Sequence, residues 1–443
     1  MNSIRNIIAV AVVFAAAVAA LILWGAGSEK PEESANTLLP HITAVPPSPA
    51  GAPSLSPPEN NEVPATPEPE PKLASVNLAF AGDIVMHPGL STDALKDGKY
   101  DYSFLFKDIS GYLRRADSSA ATLKGTFPGE TTYTGYPLIK APDAMAKGIK
   151  EAGVDILSTA AKNSFDSRLH GVRRTLEVLE DAGILTVGTS KNQEELNAKR
   201  GMRIIDVNGI YIAYIAYTCV TGEIDYSAEP FSVNLVFDAA TGTYDYDRME
   251  KDIDFAREAG ADLTVVFIQW GNEYYTSAAK YQVELSDFLF VRGADIIIGG
   301  HPFVPQPMEM RRITDKYGTG KTGFICYSLG NMASCYTDEF TNLTAILNIN
   351  AEKNFDTGET YITDVAYVPL FMSDLNAYNI TGADGRYKLW DIHAAIDDYE
   401  SEKDPGIISE RLYEAMVKGL SDIHGIFGEE YDFAVKNTVE ELK

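Results

Sequence analysis

Three short polar motifs stand where chemistry is done. Gly82-Asp83 follows the apolar run Val76–Phe80, Gln269-Trp270-Gly271 follows Leu263–Ile268, and Gly299-Gly300-His301-Pro302 follows Ile296–Ile298. A carboxylate, a carboxamide and an imidazole are thus delivered by three strand-like segments, each at its C-terminal end. In open α/β sheets such ends converge on one cleft. The convergence locates a site without saying what the site does. Asp83 in a cleft competes with Asp83 as a turn cap, and His301 in a cleft competes with a satisfied loop histidine. Trp270 reads as a packing residue that in a cleft would stack on a sugar ring. No Gly-rich phosphate loop, Ser–His–Asp signature or zinc-type cysteine spacing is present.

The elements that position these residues read as α/β. Candidate strands are Val76–Ile84, Ser119–Leu123, Asp155–Thr159, Leu185–Gly188, Leu263–Gln269, Ile296–Gly299 and Phe324–Ser328. Candidate helices are Asp143–Ala152, Leu169–Ala182, Tyr246–Ala259 and Ala278–Arg292. Asn208-Gly209 between Met202–Val207 and Tyr211–Tyr217 predicts a hairpin, and Leu343–Ile349 and Tyr361–Leu370 predict further strands.

Upstream, Arg5 precedes an uncharged apolar run, Ile7–Trp24, followed by Glu29, Glu32 and Glu33. That length suits a membrane-spanning anchor with the chain outside; a cleaved signal peptide is the rival, since small residues crowd Ala15–Ala20. Residues 27–74, rich in Pro, Ser and Glu, cannot bury a core and read as an extended spacer. The expected organisation is therefore an anchor or signal over 1–26, a linker over 27–74, a main domain over 75–375 and a helical extension over 376–443, with the domains on the extracellular side of a single-pass anchor in the cell membrane.

The formal charge of −26 argues against nucleic acid as a partner. Any anion site must be a local basic patch. Two such groups exist, Arg168/His170/Arg173/Arg174 and Arg311/Arg312/Lys316/Lys321; solvated faces are the plainer account of both. Glu429, Glu430, Glu440 and Glu441 read as a solvating tail. Three cysteines, Cys219, Cys326 and Cys335, form no disulfide framework, although Cys326 and Cys335 could pair.

Taken together, the motifs resemble one family. Ala79–His87 resembles the opening Gly-Asp strand of the CapA family of capsule and poly-γ-glutamate synthesis proteins. Gly135-Tyr136-Pro137 with Ala141-Pro142, Pro230–Leu235, Trp270–Tyr274, His301-Pro302 with Gln306–Glu309, and Tyr327–Asn331 are similar to further family segments, in the family's order. The resemblance runs from about Val76 to about Asn350. It implies a metallophosphoesterase-related, four-layer α/β/β/α sandwich with a metal-type cleft.

This chain departs from the family pattern at the ligand positions. Asn-Leu-Glu is replaced by Thr122-Leu123-Lys124, Asn-Asn-His by Ala161-Lys162-Asn163, His-Trp-Gly by Gln269-Trp270-Gly271, and His-Pro-His by His301-Pro302-Phe303. Asp83 and His301 remain, and His87 matches a family histidine in some members. The swaps remove a carboxylate and three imidazoles and add two ammonium groups, which cannot ligate while protonated. Asp83, Asn163 and His301 are the candidate catalytic residues. His87, Lys124, Lys162, Gln269 and Trp270 are candidates for a cleft or anion site, and Asp83 and His301 for a vestigial metal site. The expectation is an accessory of capsule or poly-γ-glutamate synthesis with no cofactor, in which Lys124 and Lys162 hold an anionic polymer or merely neutralise Asp83. Its partners would be that polymer or membrane subunits of the synthase. The alternative is a hydrolase of a phosphoester or γ-glutamyl polymer that uses manganese or zinc.

Overall fold

In a computed structural model, the described residues are 72–381, 383–403 and 406–441. The apolar run Ile7–Trp24 and nearly all of the Pro-rich stretch lie outside them. Among the described residues no helix is long and apolar enough to cross a membrane.

Fourteen strands of the described residues build two sheets. In chain order they are β1 (Leu73–Val85), β2 (Ser118–Lys124), β3 (Ile156–Ser158), β4 (Leu185–Val187), β5 (Arg203–Val207), β6 (Ile210–Thr218), β7 (Leu263–Gln269), β8 (Ile296–Gly300), β9 (Pro305–Thr314), β10 (Gly320–Leu329), β11 (Asn331–Ala333), β12 (Leu343–Asn354), β13 (Thr360–Asp374) and β14 (Tyr387–Asp391). The first sheet runs β14-β13-β12-β1-β2-β3-β4, with β11 also on β1; the second runs β9-β10-β8-β7-β6-β5. Strands β1 to β4 pair in parallel, as do β6, β7, β8 and β10. The flanking strands pair antiparallel.

Side-chain alternation assigns the layers. Along β1, Val76, Leu78 and Phe80 join Ile212, Tyr214, Val265, Phe267, Ile296 and Ile298 in a core between the sheets. The interleaved Ala79 and Ala81 face the other way, toward Met145, Ile149 and Leu179 of the helices Ala144–Ala152 and Arg168–Asp181. On the second sheet Ala213, Ile215, Val266, Ile268 and Ile297 face Met249, Ile253, Leu285 and Leu289 of the helices Tyr246–Glu258 and Lys280–Arg292. The order is helix, sheet, sheet, helix. Because the central strands are covered on both faces, β7 is apolar almost throughout and buried at every position.

The expected hairpin is present: β5 and β6 pair around Asn208 and Gly209, whose φ angles of 56° and 84° are those of the tight turn Asn-Gly favours. Strand β9 was not expected. Pro305 and Pro307 argue against a central strand, and the structure places β9 at the sheet edge, where prolines are tolerated. The acidic C-terminal segment is not a tail. The helices Ile392–Glu400 and Glu410–Phe427 bury Ile392, Leu412, Met416, Ile423 and Phe427 in the sandwich core, Glu429–Tyr431 forms a 3-10 turn, and Phe433–Glu441 is helical. All three cysteines are free: Cys326 lies in the inter-sheet core, away from a pairing with Cys335.

Candidate functional site

Parallel strands deliver Asp83, Lys124, Gln269 and His301 to one end of the sandwich. Asp83 sits two residues before the end of β1, Lys124 ends the neighbouring β2, Gln269 ends β7, and His301 follows β8. Close backbone approach makes this possible. A Cβ at Gly82 would collide with the Gly330 carbonyl oxygen, and one at Gly300 would lie 2.5 Å from Asp83 Oδ1. His301 and Phe303 adopt φ of 95° and 67°, a strained backbone for residues with side chains.

Asp83 is the hub of this arrangement. Gln269 Nε2 donates to its Oδ1 at 2.8 Å, and the His301 backbone N–H donates to its Oδ2 at 3.0 Å. Lys124 Nζ forms an ion pair with Oδ2 at 2.9 Å. The ammonium also lies 4.3 Å from the Phe303 ring centroid. Lys124 is fully buried, with no exposed surface. Burial draws it below the ordinary lysine pKa, while Asp83 and then Glu273 oppose that fall. Of the two readings of Lys124, a charge presented to a ligand or a neutraliser of Asp83, the geometry supports the second: it pairs with Asp83 out of reach of solvent.

The His301 ring is buried and held well below the ordinary histidine pKa, first by desolvation and then by Lys124 and Lys162. Its Nδ1 and the Gln269 Oε1 are buried without a partner. Lys162 is partly exposed and pairs with Glu273 Oε1 at 2.8 Å, an oxygen that lies 3.8 Å from His301 Nε2. Beside this group opens a cleft of about 870 Å³ whose lining includes Lys162, Asp238, Asp245, Glu273 and His301. One ammonium faces three carboxylates there, so the cleft is acidic.

Three expected site residues are committed elsewhere. Trp270 is fully buried and donates through Nε1 to the Tyr327 carbonyl at 2.9 Å, so it supports the floor and offers no ring to a sugar. Asn163 donates through Nδ2 to Asp166 Oδ2 at 2.8 Å, and the same oxygen accepts the Ile139 N–H at 2.6 Å. Its amide thus braces the Ile139–Ala141 segment. His87 accepts the Cys335 N–H at 2.9 Å and meets Tyr336 edge-on; burial and Lys124 lower its pKa to about 4. The second basic group is largely spent on internal pairs, Arg311 with Glu309 and Asp287, Lys316 with Glu250 and Asp254, and Lys321 with Asp295, whereas in the first Arg174 pairs with Asp143 and His170 and Arg173 meet the backbone carbonyls of Pro128 and Lys191.

Sequence reasoning missed Glu273, Tyr336 and the role of Asn331. Glu273 stood inside the Trp270–Tyr274 motif and was open to notice. Asn331 Nδ2 donates to the Phe303 carbonyl at 2.7 Å and fixes the loop after β8. Tyr336 stacks on Phe303 at 4.7 Å, a contact no local pattern announces.

A divalent ion does not fit among these groups. With Lys124 charged, a unit charge and a dication 4 Å apart repel by about 8 kcal/mol at an effective dielectric near 20. Of the site's hard donors, Asp83 has one oxygen on Gln269 and the other on Lys124 and the His301 N–H.

The fold and the site define a two-sheet α/β protein with a strand-end cleft whose central carboxylate is satisfied by a buried lysine. Residues 77–336 match the model of the bacterial capsule synthesis protein PGA_cap, and the chain belongs to that family. It is 26% identical over 318 residues to the capsule biosynthesis protein CapA of Bacillus anthracis, covering 70% of each chain. It is 25% identical over 293 residues to the PGA biosynthesis protein CapA of Bacillus subtilis (strain 168), covering 66% of this chain and 71% of that one. Among solved structures it is similar to a phosphatase from Mycoplasma pneumoniae, with a TM-score of 0.40 and 12% identity over 67% of this chain and 95% of that one.

Proposed function

We propose that this protein is a surface-tethered, non-hydrolytic accessory of capsule or poly-γ-glutamate biosynthesis, whose cleft engages a partner subunit of the synthetic machinery. Family membership and the relatives' names support the biosynthetic role. The observation that carries the rest is the Lys124–Asp83 pair at 2.9 Å, which puts an ammonium where a hydrolytic ion would have to act. An anionic polymer is the less suitable occupant, because Asp238, Asp245 and Glu273 outnumber Lys162 along the lining. A protein segment bearing both charges suits such a surface. Arg5 ahead of the uncharged apolar run Ile7–Trp24 supports the tether and the outward orientation.

The test is an Asp83-dependent assay. Wild type and Asp83→Asn are given bis-p-nitrophenyl phosphate with added manganese, and each is assayed for co-purification with the membrane subunits of a poly-γ-glutamate synthase. The expected result is no Asp83-dependent turnover, together with co-purification that a Glu273→Lys charge reversal weakens. Turnover abolished by Asp83→Asn would establish the hydrolase instead.

A further inference from the structure

Outside the family-matched segment, the C-terminal extension assembles a second constellation. His393 in the helix Ile392–Glu400, His424 in the helix Glu410–Phe427 and Asp432 after the 3-10 turn are the described residues whose potential ligand atoms lie together, all within 4.8 Å of one another. Both imidazoles direct Nε2 at the same oxygen, Asp432 Oδ2, each at 2.8 Å. The other oxygen, Oδ1, accepts the Ala434 N–H at 2.9 Å, which fixes the carboxylate plane and leaves Oδ2 as the working atom.

We propose that His393, His424 and Asp432 form a binding site for a divalent transition metal, zinc being the natural occupant. The donor set is that of a zinc site with one open position: two imidazole nitrogens and one carboxylate oxygen. Bonds of about 2.0–2.2 Å in a tetrahedron place ligand atoms roughly 3.3–3.6 Å apart. The present spacing reaches that by small rotations of the two rings away from Oδ2.

The same electrostatic criterion that excludes a dication at Asp83 admits one here. Asp83 is paired with a buried ammonium; Asp432 has the two imidazoles and a backbone N–H as its partners. The charged groups that act on His393 besides Asp432 are Asp391 and Asp397, and Lys436, one turn after Asp432, is committed to Asp364. Asp432 is fully buried, whereas the His393 and His424 side chains are 30% and 19% exposed. An ion could therefore enter from the histidine side, and water could take the fourth position.

The site would act as a staple. It joins two helices and the turn after them, and Asp432 bridges to Tyr367 of β13, whose hydroxyl donates to the Gly428 carbonyl at 3.1 Å. An ion there ties the C-terminal extension to the sheet without taking part in any reaction at the cleft.

The experiment uses the full-length chain in detergent, stripped with EDTA and titrated with Co²⁺ while the visible d–d absorption is followed. Wild type should show a saturable spectrum at one equivalent, displaced by Zn²⁺, and X-ray absorption of the zinc form should count two imidazoles. His393→Gln and His424→Gln keep an N–H donor for Asp432, so the fold survives, and each should weaken binding by at least about 100-fold, since even loss of an outer partner costs 10–100-fold. Asp83→Asn should leave the titration unchanged. No saturable spectrum, or wild-type affinity in both glutamine variants, overturns the proposal. Loss of the signal in an Asp83→Asn protein that keeps the wild-type circular dichroism moves the ion to the cleft and overturns it too, along with the non-hydrolytic reading. Asp83-dependent turnover with the histidine site intact would sink that reading alone.

Discussion

Replacing Lys124 by Met tests the central electrostatic claim directly. Methionine keeps most of the buried volume and removes the charge. Asp83 then retains only the Gln269 and His301 donors. Breaking one partner out of a buried ion pair costs about 3–5 kcal/mol. Each remaining donor to a charged acceptor is worth about 1.5–3 kcal/mol, which holds the loss near the lower end, about 3 kcal/mol. Asp83→Asn alone strands Lys124 in the interior and should cost a similar amount. The double variant carries neither charge, so its cost should be about 0–2 kcal/mol, because a buried pair replaced whole is often neutral. The cycle therefore predicts a coupling of roughly 4–6 kcal/mol between the two sites. The assay is urea unfolding at pH 7 by circular dichroism, comparing midpoints at constant m. Single-variant costs that add to within about 0.5 kcal/mol in the double would refute the pairing, since contacting residues do not behave that way.

Three other outcomes follow from the same geometry. Lys124→Glu restores a carboxylate beside Asp83; it should lower the melting temperature without metal and gain a manganese-dependent rise that Asp83→Asn abolishes, read by thermal shift. Asp166, pushed up from 3.8 to about 6 mainly by burial, holds its proton longer folded than unfolded. Its contribution is present below pH 3.8 and lost as pH rises through 6, so Asp166→Asn should gain stability relative to wild type between pH 4 and 7, by up to about 3 kcal/mol; a pH-independent difference in unfolding free energy would contradict this. Gly300→Ala drives a methyl to 2.5 Å from Asp83 Oδ1, and this overpacking should cost about 1–3 kcal/mol in the same denaturation assay.

Much of the scaffold was legible because its strands are buried on both faces. An uninterrupted apolar run bounded by polar motifs is hard to misplace, and Leu263–Gln269 was read to the residue. The gathering of Asp83, Gln269 and His301 followed from parallel pairing alone. The burial of Lys124 did not. Its position at a strand end was clear, but whether a terminal side chain turns outward or lies under Phe303 depends on the loop after β8, whose positive φ values no local pattern encodes. Trp270 had two readings, packing residue or cleft wall, and burial decides for packing: the residue after a strand end points into or out of a cleft by the turn that follows. The His393–Asp432 contact spans 39 residues and joins a helix to a turn, so no periodicity in either announces it.

The acidic lining and the buried pair together constrain what the cleft can do. The position of Asp83 is fixed by the register of β1 against β2 and β11 and by donors from two further strand ends. A carboxylate so enclosed needs a positive partner, because an isolated buried charge is far costlier than a paired one. Lys124 supplies it from the adjacent strand and consumes the charge that a ligand would otherwise see. What remains at the surface is the Lys162–Glu273 pair with Asp238 and Asp245 beside it. A polyanion would meet net repulsion there. A partner carrying an exposed lysine or arginine would instead find Asp238 and Asp245, with Glu273 already shared between Lys162 and the neutral His301. Substituting both aspartates by asparagine should therefore weaken partner capture and reduce its salt dependence, whereas unchanged capture at every ionic strength would place the docking surface elsewhere on the molecule.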